Sequence, residues 1–389
     1  MKRTGGSIAV AAVIAGCATL GSTGQGDVDL PSSGVGPFRK LATLETKDVA
    51  PFVFHDNVKR YREPSAVPQD DDPASARVVL FAVATEVAPG GAARDVIVRT
   101  RADDGRSFFA TASDLSLHAQ HSPTVVLRAD LAWEGEGVSS PSAIRVVGAG
   151  AEWRLYYAAA GGIGLARSSD GITFRKEAAP VLARDASVPW ETSAPSAPSV
   201  ARYPDGRWRM LYAAGGQIGE AASDDGVAWT RLDADPTTPA MDPVLGVAAN
   251  VADASLAPGE KPPFDTGEVG DPCLLPRMTA SGRLHVRVLY TGWDGPRGAV
   301  DRTSAIGFAA RYGDTGRLVR NTAPVYSVAQ HEAAPSLFTW DGGALLYVEQ
   351  LMPASGTGAG ASPAYPGIAA AFAPPAQTLA PAGEFPDMN

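Results

Sequence analysis

Three short segments pair an aromatic ring with an acid at a fixed distance from a proline. Trp133-Glu134, Trp190-Glu191 and Phe264-Asp265 are each followed by six residues and then Pro141, Pro198 or Pro272. Rings of this size can stack on the apolar face of a sugar. Carboxylates beside them can bond hydroxyls or move protons. A feature written several times can also be architectural, with each acid accepting backbone N–H bonds and anchoring a loop. Breaks in the repeat are therefore the better pointer to a site. The residues before the prolines at the entrance of each unit read Asp72, Ser140, Ala197, Asp271 and Ala334, so two of five are acidic. Near the last entrance stand His331 and Glu332, and Trp293 opens an insertion after Tyr290.

These residues must be positioned by a repeated β unit. "IVRTRADDGRSF" (97–108), "IGLARSSDGITF" (163–174) and "IGEAASDDGVAW" (218–229) each place Asp-Gly seven residues after Ile and an aromatic eleven after it. Upstream, "EWRLYYAAA" and "RWRMLYAAG" alternate with the period of two that belongs to strands. Gly-Gly hairpin signals and Asp-Gly turns separate the strands. Entrances at Pro73, Pro141, Pro198, Pro272 and Pro335 mark five units of about four strands. Five such units predict an all-β, five-bladed β-propeller of mostly four-stranded antiparallel blades over 37–375, because radial repetition buries each sheet between its neighbours. "PFRKLATL" or "APFVFHDN" supplies the outer strand that closes the ring. A pair of β-sandwiches or a six-bladed ring is the alternative. The Asp-Gly turn itself reads as a structural rivet.

The chain has 389 residues with 42 Gly and 32 Pro, 45% apolar and 19% charged residues, which favours turns over long helices. A net charge of −9 without a basic cluster excludes a nucleic-acid partner. Met1-Lys2-Arg3, the apolar run to Gly16 and then Cys17 form a secretory signal too short to span a bilayer. "IAGC" resembles a bacterial lipoprotein cleavage box, which implies that Cys17 is lipidated. Ala18 resembles the outer-membrane-sorted kind. Residues 1–17 are then signal peptide and lipobox, 18–36 a flexible tether and 376–389 a Pro-rich tail. Membrane contact is expected through the lipid anchor only. Cys273, the other cysteine, has no disulfide partner in that case. His118 and His121 lack further ligands nearby, so no structural zinc is expected.

The layout W-E-x6-P-S…W-R-x-L/Y-Y-A…I-G-x-A-x-S-x-D-G-x-x-[FW], carried by residues 140–174 and 197–229, resembles the five-bladed propellers of the arabinanase, levansucrase and invertase group, which includes glycoside hydrolase families 32 and 43. The likeness covers roughly 70–370. It implies three funnel carboxylates: an Asp in blade one as base or nucleophile, an Asp in blade two tuning its partner, and a Glu in blade three as general acid. Asp72 matches the first. Ser140 and Ser196 stand where the other two are expected, so Glu134 would tune and Glu191 would be the acid from upstream. Trp133, Trp190 and Trp293 would stack on sugar, with Asp265, Asp271, His331 and Glu332 binding it. His331 corresponds to a funnel histidine of some family 43 members. No cofactor is expected, although a funnel calcium or sodium ion is compatible with the resemblance. The implied partner is carbohydrate, handled by a glycoside hydrolase-like enzyme or by a non-catalytic descendant that binds sugar or a protein partner at the cell envelope.

Overall fold

The structure is a computed structural model, and it describes residues 39–40, 58–87, 91–105, 108, 123–148, 151–249, 263–279, 281–299, 301–328, 331–352 and 365–373. Residues 1–38, which include Cys17 and the whole of the expected signal segment and tether, lie outside the described residues, as do His118, His121 and residues 376–389.

Among the described residues, twenty strands form five four-stranded antiparallel sheets. Blade one holds β2 (Val58–Pro68), β3 (Val78–Val87), β4 (Ala93–Ala102) and β5 (Thr124–Leu127). Blade two holds β6 (Ser139–Val146), β7 (Glu152–Ala159), β8 (Gly162–Ser168) and β9 (Arg175–Lys176). Blade three holds β10 (Ser196–Arg202), β11 (Trp208–Ala214), β12 (Gln217–Ser223) and β13 (Thr230–Leu232). Blade four holds β14 (Glu268–Met278), β15 (Leu284–Trp293), β16 (Ser304–Tyr312) and β17 (Val319–Arg320). Blade five holds β18 (Glu332–Trp340), β19 (Gly343–Met352) and β20 (Tyr365–Ala373), and its outer strand is β1 (Arg39–Lys40). Arg39 pairs with Phe372 and Lys40 with Ala371, so of the two candidate closing segments "PFRKLATL" is the one that supplies the outer strand. The innermost strands β2, β6, β10, β14 and β18 touch in a closed circle. The protein is a five-bladed β-propeller.

Period-two strands bury both faces because each blade lies between two others. On β7, Leu155 and Tyr157 pack with Val79, Phe81 and Ile97 of blade one, while Tyr156 packs with Trp208 and Met210 of blade three. The other three seams carry their own apolar clusters, among them Leu211 with Val288, Leu289 with Leu346, and Leu80 with Leu345. The Asp-Gly turns fasten these seams. Asp170 and Asp225 accept the N–H groups of the residues two and three ahead, while Gly171 and Gly226 adopt φ of 71° and 74°. Tyr156 of blade two donates to the Gly226 carbonyl at 2.7 Å, and Tyr347 of blade five donates to Gly105 of blade one. Between blades three and four the fastening is ionic instead: Arg311 donates to both oxygens of buried Glu220 at 2.8 Å and to the Gly316 carbonyl at 2.7 Å.

At the axis the chain makes one unusual move five times. Glu63, Ser140, Ala197, Asp271 and Ala334 have φ between 45° and 50°, and each precedes a proline at a bulge in the innermost strand. A left-handed non-glycine residue costs of order 1–3 kcal/mol. The bulge explains why proline is tolerated inside these strands. The residue after each proline bonds to the next blade. Ser65 Oγ accepts from Ala143 N at 3.0 Å, Ser142 from Val200 at 3.0 Å, Ser199 from Leu274 at 2.8 Å and Ser336 from Ala66 at 2.9 Å. In blade four the acceptor is the Cys273 thiol, bonded by Leu337 N–H. This circuit corrects one sequence expectation. The entrance of blade one is Glu63-Pro64, not Asp72-Pro73, and "ARVVLFAVAT" is the second strand of that blade. Asp70–Asp72 form an exposed turn in which Asp72 Oδ1 accepts from Ala74 N at 3.0 Å.

Ser142→Ala should lower stability by about 1–3 kcal/mol, because Val200 N–H loses its buried acceptor. Cys273→Ser should stay within about 1 kcal/mol of the parent, since a hydroxyl keeps the bond. Denaturant unfolding of both variants checks the pair; equal losses would show that Cys273 serves packing and not the circuit.

Candidate functional site at the axial mouth

The three aromatic–acid pairs form one kind of clamp. Trp133 stacks on Tyr157 with centroids 6.0 Å apart, Trp190 on Tyr212 at 5.8 Å and Phe264 on Tyr290 at 6.1 Å. Under each stack lies a glycine, Gly164, Gly219 or Gly307, where an added Cβ would come within 2.4 Å of one of the rings. The acid accepts the tyrosine hydroxyl's hydrogen bond and pairs with a cation from the outer strand. Glu134 accepts from Tyr157 at 2.6 Å and pairs with Lys176 at 2.8 Å. Glu191 accepts from Tyr212 at 2.7 Å and pairs with Arg231 at 2.6 Å. Asp265 accepts from Tyr290 at 2.8 Å and pairs with Arg320 at 2.6 Å. Glu134 and Glu191 are fully buried and also hold backbone N–H groups of Asp130, Leu131 and Asp185. The structure thus places Trp133, Trp190, Glu134, Glu191 and Asp265 in a loop-to-blade anchor, away from the residues that line the axis.

The remaining expected residues scatter. Asp72 is on the exposed turn. His331 is exposed, while Glu332 is buried and accepts from Val328 N at 2.8 Å. Trp293 is half-buried under the Arg302 guanidinium, 4.9 Å from the ring centre. Arg302 and Arg297 both pair with buried Glu268. Among the described residues no group of three or more His, Cys, Asp or Glu side chains is arranged to hold a metal ion.

Asp271 alone of the expected set reaches the axis. The axial cavity, about 40 Å³, is lined by the five left-handed residues and their prolines. Glu63 and Asp271 are the two acids among them. Glu63 Oε2 accepts from Ser140 N at 2.6 Å and Ser140 Oγ at 2.9 Å, and Oε1 accepts from Arg62 at 3.3 Å. Asp271 accepts from Thr291 Oγ1 at 3.0 Å and Ala334 N at 3.3 Å. A third acid comes from the second strand of blade five. Register sets Glu349 opposite Ala333, where blades two, three and four put Ala158, Ala213 and Thr291 at the corresponding step. Glu349 accepts the Glu63 backbone N–H.

Crowding three partly buried acids around the axis disfavours full ionisation. Burial, then the Glu63 charge, pushes Asp271 up to about 6. Burial, then the charges of Glu63 and Asp271, pushes Glu349 up to about 8, although Arg62 opposes this. Glu349 thus keeps its proton to higher pH than Asp271 does, and a carboxyl protonated near neutrality beside another that titrates lower is what acid–base chemistry needs. The sequence does carry a signal for Glu63: Glu63-Pro64-Ser65 has the same form as Ser140-Pro141-Ser142. Glu349 is marked only by standing as an acid in the apolar run of β19.

Just outside the axis a cleft of about 480 Å³ is lined by Arg62, Thr85, Arg94, Asp95, Glu136 and Gly137, among others. Arg62 belongs to both places. Its guanidinium contacts Glu63 on the axial side, and Asp95 and Thr85 on the cleft side.

Protons bound only in the folded state make stability fall as pH rises through the two pKa values. Asp271 and Glu349 have folded pKa values above their ordinary 3.8 and 4.5, so the decline should run from about pH 4 to about pH 8. Glu86, held down to about 2 by Arg128, acts only below that window. Thermal melts between pH 5 and 8.5 should show a flatter slope for Glu349→Gln than for the parent; parallel curves would contradict the assignment.

No family model and no curated protein sequence matches the chain. Solved structures do. A structure from the GH130 family, described as mannoside phosphorylases containing glycoside hydrolases that target β-1,2 mannosidic linkages in Candida mannan, aligns with TM-score 0.59 at 14% identity, covering 88% of this chain and 95% of that one. A candidate glycoside hydrolase from Bacteroides ovatus ATCC 8483 aligns with TM-score 0.57 at 13% identity over 86% and 96%. BT0996, solved as a complex with RGII, aligns with TM-score 0.55 at 16% identity over 86% and 91%. At this identity the likeness establishes a shared fold: the chain has the propeller on which these glycoside hydrolase-type proteins are built.

Proposed function

We propose that the protein is a carbohydrate-active, glycoside hydrolase-like propeller whose reacting centre is the axial carboxyl group set Glu63, Asp271 and Glu349. The observation that carries this reading is convergence. Acids from blades one and four line one opening, at ring positions that hold Ser or Ala in the other blades, and Glu349 of blade five lies close enough to bond the Glu63 backbone and feel both charges. Glycosidic cleavage needs one carboxyl to give a proton to the leaving oxygen while another, ionised, serves as base or nucleophile. Glu63, held by Ser140 and Arg62 as an acceptor, suits the second role. Asp271, raised to about 6 and neighboured by Glu349, carries its proton under mildly acidic conditions and suits the first. Asp72 and the clamp acids Glu134 and Glu191, expected catalytic from the resemblance, are assigned to the turn and to the loop anchors instead. The descriptions of the structural neighbours, which name mannosidic linkages and RGII, support an oligosaccharide as the substrate class.

A second reading, sugar binding without turnover, has its own observation. The axial cavity of about 40 Å³ has room for about one water and not for a sugar ring. Reducing-sugar release and calorimetric binding, measured on one panel of plant and fungal oligosaccharides, separate the two. For the enzyme, Glu63→Gln and Asp271→Asn should each lower turnover by about 10²–10⁴-fold with sugar binding retained. Binding without any release by the parent protein assigns the non-catalytic role.

Cell-envelope placement follows from the N-terminal sequence alone. A lipidated Cys17 would tether the propeller to a membrane surface, with outer-membrane sorting favoured by Ala18. Cys17→Ser should shift the protein from the membrane to the soluble fraction; unchanged fractionation would rule out the anchor.

A further inference from the structure

The cleft beside the axial acids, at about 480 Å³, is far larger than the axial cavity of about 40 Å³. It falls within the range of small-ligand pockets. It is also shaped by a backbone device. The loop at 135–138 lies hard against β4: Val138 N donates to the Asp95 carbonyl at 3.1 Å, and a Cβ on Gly137 would sit 3.1 Å from Asp95 Cβ. Glycine there lets the loop form the wall on which Glu136 stands.

The lining chemistry narrows the occupant. Among the described residues no aromatic or large aliphatic side chain lines the cleft, so an apolar ligand has nothing to bury against. Two cations, Arg62 and Arg94, face two anions, Asp95 and Glu136, so the walls sum to no net charge. Arg62 is already engaged by Glu63 and Asp95, and Arg94 by Glu86. Guanidinium donors, carboxylate acceptors and the Thr85 hydroxyl together suit a molecule that both gives and takes hydrogen bonds around its rim. A neutral sugar ring fits that description. An anionic sugar would add a third negative charge to those of Asp95 and Glu136, while Arg62 and Arg94 are already paired with carboxylates.

We propose that this cleft is a neutral-saccharide subsite, with Glu136 and Asp95 accepting sugar hydroxyl protons and Arg94 donating to sugar oxygens. It rests on the carbohydrate reading above and adds the place and the charge class of the sugar. Through Arg62, whose guanidinium touches both Asp95 and Glu63, a sugar seated here lies next to the axial acids. Glu136 is a binding residue in this arrangement and not a catalytic one.

Calorimetry with neutral mono- and disaccharides built on mannose, xylose and arabinose, alongside galacturonic acid, tests the assignment. Glu136→Ala removes one charged acceptor and should weaken neutral-sugar binding about tenfold. Ala93→Trp, at an exposed position on the rim, should block the cleft and abolish binding without unfolding the protein. If a substrate is turned over, Glu136→Ala should raise KM with kcat held, whereas Glu63→Gln lowers kcat. Neutral-sugar binding that neither variant changes would overturn the subsite and leave the carbohydrate reading intact. Tighter binding of galacturonic acid would overturn the charge class. No binding and no turnover with any sugar would remove the carbohydrate reading and this inference with it.

Discussion

Five backbone N–H groups point across the blade seams at the centre of this molecule, and each must find an acceptor in a place where water is scarce. Four find a serine hydroxyl and one finds the Cys273 thiol. A bulge with a left-handed residue before a proline makes that circuit geometrically possible. Each bulge stores strain that the closed ring must over-determine. Because the circuit runs from blade five back to blade one, through Ser336 and Ala66, closure is a condition for every bond in it. The apolar seams and the Asp-Gly rivets hold the blades side by side, but this inner ring decides which side chains reach the axis.

Chemistry enters where the ring departs from its own symmetry. Ser140, Ala197 and Ala334 are small at the left-handed position; Glu63 and Asp271 are not. The same backbone that seats a small residue seats an acid, so a carboxyl is delivered to the axis without any change of fold. The acids also serve the ring they interrupt. Glu63 satisfies the N–H of Ser140, Glu349 satisfies that of Glu63, and Asp271 and Thr291 satisfy that of Ala334. A group that must hold a backbone donor and also titrate at an unusual pH suits a reacting centre better than a merely buried charge.

Much of the architecture is legible in residue order. Strand period and the Asp-Gly turns follow from it, because turn chemistry and alternation are local properties, whereas the closing strand stays open between "PFRKLATL" and "APFVFHDN" until the pairing of Arg39 and Lys40 decides it. The site is less legible, for two physical reasons. In β2 the run Lys59, Arg60, Arg62 and Glu63 beside two prolines does not read as a strand, since bulges break its alternation; Pro73, next to a cleanly alternating segment, reads better and is only a turn. The aromatic–acid repeat draws attention to Glu134, Glu191 and Asp265, yet a carboxylate next to a tryptophan or phenylalanine in the chain looks the same in sequence whether its partner is a sugar hydroxyl or a tyrosine two strands away. Only the register of β7, β11 and β15 shows that the tyrosine takes it. Glu349 depends on cross-strand register in the same way.

The central claim is that Glu63, Asp271 and Glu349 share one electrostatic environment at the axis. Carbon-13 titration of the carboxyl groups in protein labelled at Asp and Glu measures this directly. With the parent protein the Asp271 and Glu349 midpoints should lie well above ordinary carboxyl values, and Glu63→Gln should lower both. Midpoints that stay where they were after the Glu63 charge is removed would contradict the account.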